Sequence, residues 1–241
     1  MKVLVIIPAF NEEGNIRKLV FELNKLNVDV IVINDKSTDN TLKILSELKV
    51  NYIDLPCNLG IGGAVQTGYT YGVRNGYDVA VQVDGDGQHD PNYLLQIITP
   101  VLNGEADMII GSRYIEKEGF QSSVVRRIGI KYFSSLIRLL TGMKITDPTS
   151  GFRACNLKVM NYFANYYPTD YPEPESIVAL LRQNYRILEV PVIMSERQFG
   201  SSSINLMRSI YYVIKVSLAI LIDRFRKKEL IESLELLGDD I

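Results

Sequence analysis

The sequence predicts an α/β fold, a mainly parallel central sheet flanked by helices, and three observations carry that expectation. Short apolar runs recur between Val3 and Ile110 without polar alternation, as suits strands covered on both faces. Between them lie segments with apolar residues at i, i+3, i+4 and i+7, the spacing of an amphipathic helix. Polar loops follow the runs, so strand, loop and helix alternate in the order of a parallel sheet, whose ligands bind beyond the strands' carboxyl ends.

The first run, residues 3–7, stops at Pro8-Ala9-Phe10-Asn11-Glu12-Glu13 and leads into Ile16, Leu19, Val20, Leu23 and Leu26, which share a helical face. Residues 29–34 repeat the run. Asp35-Lys36-Ser37-Thr38-Asp39 then makes a loop whose last aspartate can cap a helix carrying Leu42, Leu45 and Leu48. Residues 50–55, 78–83 and 107–110 are the remaining strand candidates, and Asp90-Pro91 marks a helix start after the fourth run. In Asn58-Leu59-Gly60-Ile61-Gly62-Gly63-Ala64-Val65, a G-x-G-x-x-G fingerprint would need glycine where Val65 stands, and no Lys-Ser/Thr pair completes a P-loop. Its small residues suit a helix start packed closely on the sheet.

The segment 81–91, VQVDGDGQHDP, concentrates the chemistry. An apolar run ends in two carboxylates, Asp84 and Asp86, separated only by Gly85. Carboxylates so placed can hold a hard divalent cation against a diphosphate, with water and phosphate oxygens completing its shell. An Asp/Gly turn that merely closes a strand uses the same residues, so the neighbouring motifs decide.

Six motifs in one order, PAFNEE, INDKSTDNT, NLGIGGAVQTG, VDGDGQHDP, IIGSRY and TDPTSGFRA, resemble the family 2 glycosyltransferases with a GT-A fold, over roughly residues 1 to 205. The likeness is strongest to the polyprenyl-phosphate sugar synthases. It implies an inverting, metal-dependent transfer of a hexose or N-acetylhexosamine from a UDP- or GDP-sugar to a polyprenyl phosphate. By that resemblance Pro8, Ala9 and Glu12 border the base and ribose, Gly63 lines the nucleotide pocket, and Asp35 accepts a hydrogen bond from the base's ring N–H. Asp35 can equally stabilise its own turn, and Glu12 the start of the first helix. Asn34 departs from the acidic pair common at that loop.

The resemblance further implies that Asp84 and Asp86 orient Mg²⁺ or Mn²⁺, with Gln88 as a third oxygen ligand, and that Asp86, Arg113 and Asp147 are catalytic. His89, the only histidine, hydrogen-bonds the backbone or a ligand more readily than it serves as a base. A phosphate monoester with its second pKa of about 6 is already ionised and needs no general base, so cations should steer it. Arg113, one of Arg126 or Arg127, Arg153, and Arg197 with Ser202 are the candidates. Asp147 would act as base for a hydroxyl acceptor, or orient the sugar and Arg153 for a phosphate; Glu175 is a candidate for the sugar hydroxyls. The alternatives are a family 2 enzyme building a saccharide bond with a carboxylate base, and a non-catalytic nucleotide-sugar-binding subunit that recruits partners to a membrane.

A net charge of −2 over 241 residues gives no general attraction to nucleic acid. Cys57 and Cys155 show no CxxC spacing and read as reduced and structural. No signal peptide precedes the first strand pattern, so a cytoplasmic protein is expected, peripheral on the cytoplasmic face of a membrane. Two units are expected: a transferase domain, 1–203, and an amphipathic helix with a charged tail, 204–241. Residues 204–222 are apolar but interrupted by Arg208 and Lys215, so they do not span a bilayer; Arg224, Arg226, Lys227 and Lys228 follow. That arrangement suits a helix lying on an anionic surface, docking on a small membrane subunit, or packing on the domain. Residues 122–140, with Arg126, Arg127, Lys131 and Arg138, read as a second basic amphipathic helix.

Overall fold

A computed structural model describes residues 1–196 and 206–225. The order is β1 (Val3–Ala9), α1 (Ile16–Leu23), β2 (Asp29–Asn34), α2 (Thr41–Leu48), β3 (Asn51–Asp54), α3 (Gly60–Arg74), β4 (Val79–Gln82), a 3₁₀ turn (Pro91–Tyr93), α4 (Leu94–Leu102), β5 (Met108–Ser112), α5 (Val124–Thr141), β6 (Arg153–Asn156), α6 (Leu157–Asn165), α7 (Pro172–Arg182), β7 (Ile187–Pro191) and α8 (Leu206–Phe225). The seven strands form one sheet in the order β3-β2-β1-β4-β6-β5-β7. All pairs are parallel except those of β6, which runs antiparallel to β4 and β5.

The unbroken apolar runs are explained by two cores, because successive side chains of a strand face opposite sides. Leu4 and Ile6 of β1 join Ile31, Ile33 and residues of α3, α5, α6 and α7 on one face. Val5 and Ile7 join Val30, Val32 and residues of α1, α2 and α4 on the other. Burying both faces of a strand favours apolar residues at successive positions, hence the missing alternation. Asp90 accepts from the Asn92 backbone N–H at 2.9 Å and starts the 3₁₀ turn. Asn40, not the expected Asp39, is the N-cap of α2; Asp39, one residue earlier, still accepts from Thr41 N–H at 2.9 Å.

The topology positions the site. Strand β1 pairs with β2 on one side and β4 on the other, so the chain order reverses there and a crevice opens at the carboxyl ends of β1 and β4. Antiparallel β6 brings its first residue, Arg153, opposite Gln82 at the same edge, which carries the loop before it to the Asp84 end of β4.

Strands β6 and β7 have no counterpart in the sequence expectation. Helix α8 buries Val216 and Ile220 in the same core as Phe133 and Ile177, so its described part packs on the body through α5 and α7. The expected boundary at 203 falls outside the described residues, as do the side chain of Arg224 and residues Arg226, Lys227 and Lys228. Among the described residues no helix is long and apolar enough to cross a membrane.

Candidate active site

A cleft of ≈ 520 Å³ opens at the β1/β4 crevice, with Pro8, Ala9, Glu12, Asp35, Asp84 and Asp86 on its wall. The loops after β1 and β2 build its rim by clasping each other. Asn11, at φ 57, accepts from Thr38 N–H at 2.8 Å, and Thr41 Oγ1 accepts from Glu12 N–H at 2.9 Å. Glu13 accepts from both the backbone and the side-chain amide of Asn40, at 3.0 and 2.7 Å. Glu12 keeps one carboxylate oxygen 2.8 Å from the Asn15 amide. Asp35, buried, accepts from Leu59 N–H at 2.6 Å and so ties β2 to the start of α3. Its turn-stabilising role and its place on the cleft therefore coexist. Asn34 turns its amide to Asp54 at 2.6 Å and is not on the cleft wall.

The glycine segment meets the cleft through Asn58, Gly60, Ile61 and Ala64; Gly63 is not on the wall, and a Cβ there would lie 2.5 Å from Leu59 Cβ. Gly63, expected to line the nucleotide pocket, therefore lies off the cleft wall that its neighbours form. Gly62 explains the local composition better. A Cβ at Gly62 would overlap the carbonyl oxygens of Pro168 and Thr169, so only glycine lets α3 approach that loop.

The two carboxylates after β4 are individually oriented. Asp84 accepts from Gln82 Nε2 at 2.9 Å, and its backbone N–H donates to His89 Nδ1 at 3.0 Å. His89 is buried and stacked on Phe152, with centroids 4.8 Å apart, so it braces the loop. Asp86 accepts from Gln88 N–H at 3.0 Å. A Cβ at Gly151 would stand 2.7 Å from Asp84 Oδ2, so glycine makes room for that carboxylate. Two hard oxygen donors at a strand end, both facing the cleft, fit a divalent cation whose remaining ligands come from a diphosphate and water. Gln88 ties this loop to Ser195: its amide nitrogen donates to Ser195 O at 3.1 Å, and Ser195 N–H returns a bond to Gln88 O at 2.9 Å. No group of three or more His, Cys, Asp or Glu side chains suited to a metal forms among the described residues.

Arg113 and Asp147 come together, but with each other. Arg113 Nε and Nη2 meet the Asp147 carboxylate at 2.7 and 2.8 Å, and the two side chains are 5% and 0% exposed. Thr149 Oγ1 accepts from the same guanidinium at 3.2 Å. Glu189 fixes the loop by accepting the N–H groups of Thr146 and Asp147 at 2.7 and 2.8 Å, and burial pushes its carboxyl above the usual range. Asp147 has no opening through which to take a proton from a substrate, and it orients Arg113, not Arg153. Arg153 is buried too, donating to Ser150 O, Ser176 Oγ, Pro148 O and Glu173 O, so the acceptor contact expected of it is replaced by a structural one. Its many carbonyl partners explain how a guanidinium fits inside the sheet.

A second cavity, ≈ 500 Å³, runs between α5, α7 and α8 and is mostly apolar, with Val125, Ile128, Ile130, Val213 and Ile214 on its wall. Arg126 lines it and Arg127 does not, which separates the two arginines. Glu173 lies on this wall where Glu175 does not, and burial raises its carboxyl pKa, with Arg153 opposing and Asp84 reinforcing. Ile61, Asp84 and Tyr171 border both cavities, so the apolar groove adjoins the cleft at the Asp84 carboxylate. Neither Tyr171 nor Glu173 was singled out by sequence; an acid between two prolines, in PEPE, was the available signal. Arg197 and Ser202 lie outside the described residues.

Residues 4–163 match Glycosyl transferase family 2. The chain is a family 2 glycosyltransferase. It is 31% identical over 211 residues to a UDP-N-acetylglucosamine–dolichyl-phosphate N-acetylglucosaminyltransferase of Methanococcus voltae, covering 79% of this chain and 84% of that one. It is 29% identical over 241 residues to a polyprenol monophosphomannose synthase of Mycolicibacterium smegmatis, covering 93% and 90%. An undecaprenyl-phosphate mannosyltransferase of Micrococcus luteus is 31% identical over 219 residues, covering 85% and 88%. Among solved structures, glucosyl-3-phosphoglycerate synthase of Mycobacterium tuberculosis with Mn²⁺, UDP-glucose and phosphoglyceric acid superposes with a TM-score of 0.71 at 18% identity, covering 92% of this chain and 79% of that one. The fold is GT-A, and the family 2 enzyme described here carries its cleft at the expected edge of the sheet.

Proposed function

We propose that this glycosyltransferase moves a hexose or N-acetylhexosamine, with inversion, from a UDP- or GDP-sugar to a polyprenyl phosphate. The observation that carries the reading is the apolar groove adjoining the carboxylate-lined cleft at Asp84. A nucleotide and its metal-bound diphosphate suit the mixed, carboxylate-bearing cleft, whereas a hydrocarbon tail suits a wall of Val125, Ile128 and Ile214. The relatives named for dolichyl, polyprenol and undecaprenyl phosphate support the same acceptor class.

Asp84 and Asp86 would hold Mg²⁺ or Mn²⁺, which when bound neutralises charge on the departing nucleoside diphosphate. The rest follows from this chain's residues. Pro8, Ala9 and Glu12 border the nucleoside, Asp35 stiffens that wall through Leu59, and Arg126 on the groove holds the acceptor phosphate toward the cleft. A phosphate oxygen then bonds to the anomeric carbon as the bond from that carbon to the diphosphate oxygen breaks on the opposite face. No proton needs removing from an ionised phosphate, consistent with a site whose histidine accepts a backbone N–H and whose Asp147 is paired with Arg113.

The acceptor's place in a bilayer suits the surface around the groove. Val124, Ile128 and Leu139 of α5 are exposed beside Arg126, Arg127, Lys131 and Arg138, and Ile214, Leu218 and Ile222 make an exposed stripe on α8. Tyr132 OH and Ser217 Oγ, 3.0 Å apart, hold the two helices together. Such an apolar face rimmed by cations lies on an anionic membrane without crossing it. The test is turnover: purified protein, Mn²⁺ or Mg²⁺, undecaprenyl phosphate and a panel of UDP- and GDP-sugars should yield one lipid-linked sugar. Transfer to free saccharides but to no lipid phosphate in the panel would refute the acceptor.

A further inference from the structure

Tyr171, which packs with Tyr212 against the core, combines three features that the proposed binding roles leave unexplained. It borders both the carboxylate-bearing cleft and the apolar groove. Its backbone sits in the left-handed region, φ 52 and ψ 59, immediately before Pro172 opens α7. Its ring leans on Tyr212 of α8, with centroids 4.5 Å apart and planes at 49°. Left-handed backbone is the province of glycine and asparagine, and a residue before proline is steered toward extended conformations. A bulky aromatic at this position is disfavoured on both counts, and such strain concentrates where a side chain has work at a site.

The position indicates what the ring does. Resting on the proposed transfer, the anomeric carbon must lie between the donor diphosphate at Asp84 and the acceptor phosphate in the groove, which is the boundary Tyr171 shares with Ile61 and Asp84. Water is the competitor there: its oxygen can bond to the same carbon, releasing a proton to solvent and yielding free sugar and nucleoside diphosphate. We propose that Tyr171 is a positioning residue whose ring forms the partition between donor cleft and lipid groove, seating the sugar for the lipid phosphate and excluding water from its anomeric carbon. The Tyr212 contact holds the ring across that boundary from α8, so the helix bearing the exposed apolar stripe also supports the partition.

The backbone supplies a clean test, because Tyr171→Gly removes the ring while relieving the left-handed strain. Full-length wild type, Tyr171→Gly and Tyr171→Phe are compared with Mn²⁺, the accepted nucleotide sugar and undecaprenyl phosphate. Lipid-linked sugar, free sugar and thermal unfolding are recorded for each. Misplacing a reacting group by about 1 Å costs about 100-fold. At a temperature where all three proteins are folded, Tyr171→Gly should lose about 100-fold in kcat for lipid transfer and send a larger share of consumed donor to free sugar. Tyr171→Phe should restore both rate and partition. Wild-type rate and partition in the glycine variant would overturn the proposal, as would a loss confined to the donor KM, earlier unfolding that accounts for the loss, or a phenylalanine variant as impaired as glycine. A wild type that makes no lipid-linked sugar with any donor refutes the acceptor assignment instead, and removes this role with it.

Discussion

Replacing Asp147 with asparagine separates two meanings of a carboxylate in the TDPTSGFRA motif. A general base would leave the fold intact when made an amide, and the rate would lose its dependence on a deprotonated group. The structure supports a different outcome. Asp147 is 0% exposed and meets the 5% exposed Arg113 through two bonds of 2.7 and 2.8 Å. An asparagine there keeps one oxygen but turns an NH₂ toward the guanidinium and leaves a buried cation uncompensated. Removing one partner of such a pair costs about 3–5 kcal/mol. For a chain of this size each kcal/mol moves the unfolding midpoint by about 2–4 °C, so Asp147→Asn should lower Tm by about 6–20 °C. The double variant Arg113→Met with Asp147→Leu replaces the pair by apolar groups and should recover most of that loss. Differential scanning calorimetry on the three variants measures it. Transfer at a temperature where all are folded should keep the wild-type shape of its pH profile in Asp147→Asn. An unchanged Tm together with a vanished basic requirement would refute the structural reading and restore Asp147 as a base.

Three further outcomes follow from the geometry. Asp84→Asn and Asp86→Asn should leave Tm near wild type, since both carboxylates face the cleft, while transfer falls by about 10²–10³-fold, the usual loss of one electrostatic stabiliser; near-normal metal-dependent rates would remove the pair from the reaction. Ile128→Gln with Leu218→Gln, at positions 64% and 54% exposed, should weaken co-sedimentation with anionic vesicles, and salt should weaken what remains; binding indifferent to both would leave α5 and α8 without a membrane role. Burial raises the Asp107 carboxyl, but hydrogen bonds from Arg186 and Asn156 outweigh it and hold the pKa below the usual range. That lowered folded-state pKa contributes stability above the unfolded value and loses it as pH falls through the folded one, so the stability gap between wild type and Asp107→Asn should shrink in acid; a gap constant with pH would contradict the linkage.

The parts of this molecule that sequence reveals are those whose cause is local. The run 29–34 becomes β2 with the same ends because both its faces are covered, and covering both faces erases alternation within the run itself. Asp84 and Asp86 are legible for the same reason: the strand end, the intervening glycine and both carboxylates are neighbours in the chain. Strands β6 and β7 were hidden because their polar residues look like surface. Arg153 is held by a hydroxyl 23 residues away and by carbonyls of the preceding loop and of the first turn of α7; Glu189 is fixed by an amide 42 residues away. The same distance misled the assignment of charge. Arg113 in IIGSRY and Asp147 in TDPTSGFRA each read as free to meet a phosphate or a proton, and each finds the other 34 residues along the chain. Arg126 lies on the apolar groove without such a buried carboxylate clamp, which is why the proposed handling of the acceptor phosphate passes from Arg113 to Arg126. A motif states which charges a site possesses; the long-range pairing of the fold determines which of them a substrate meets.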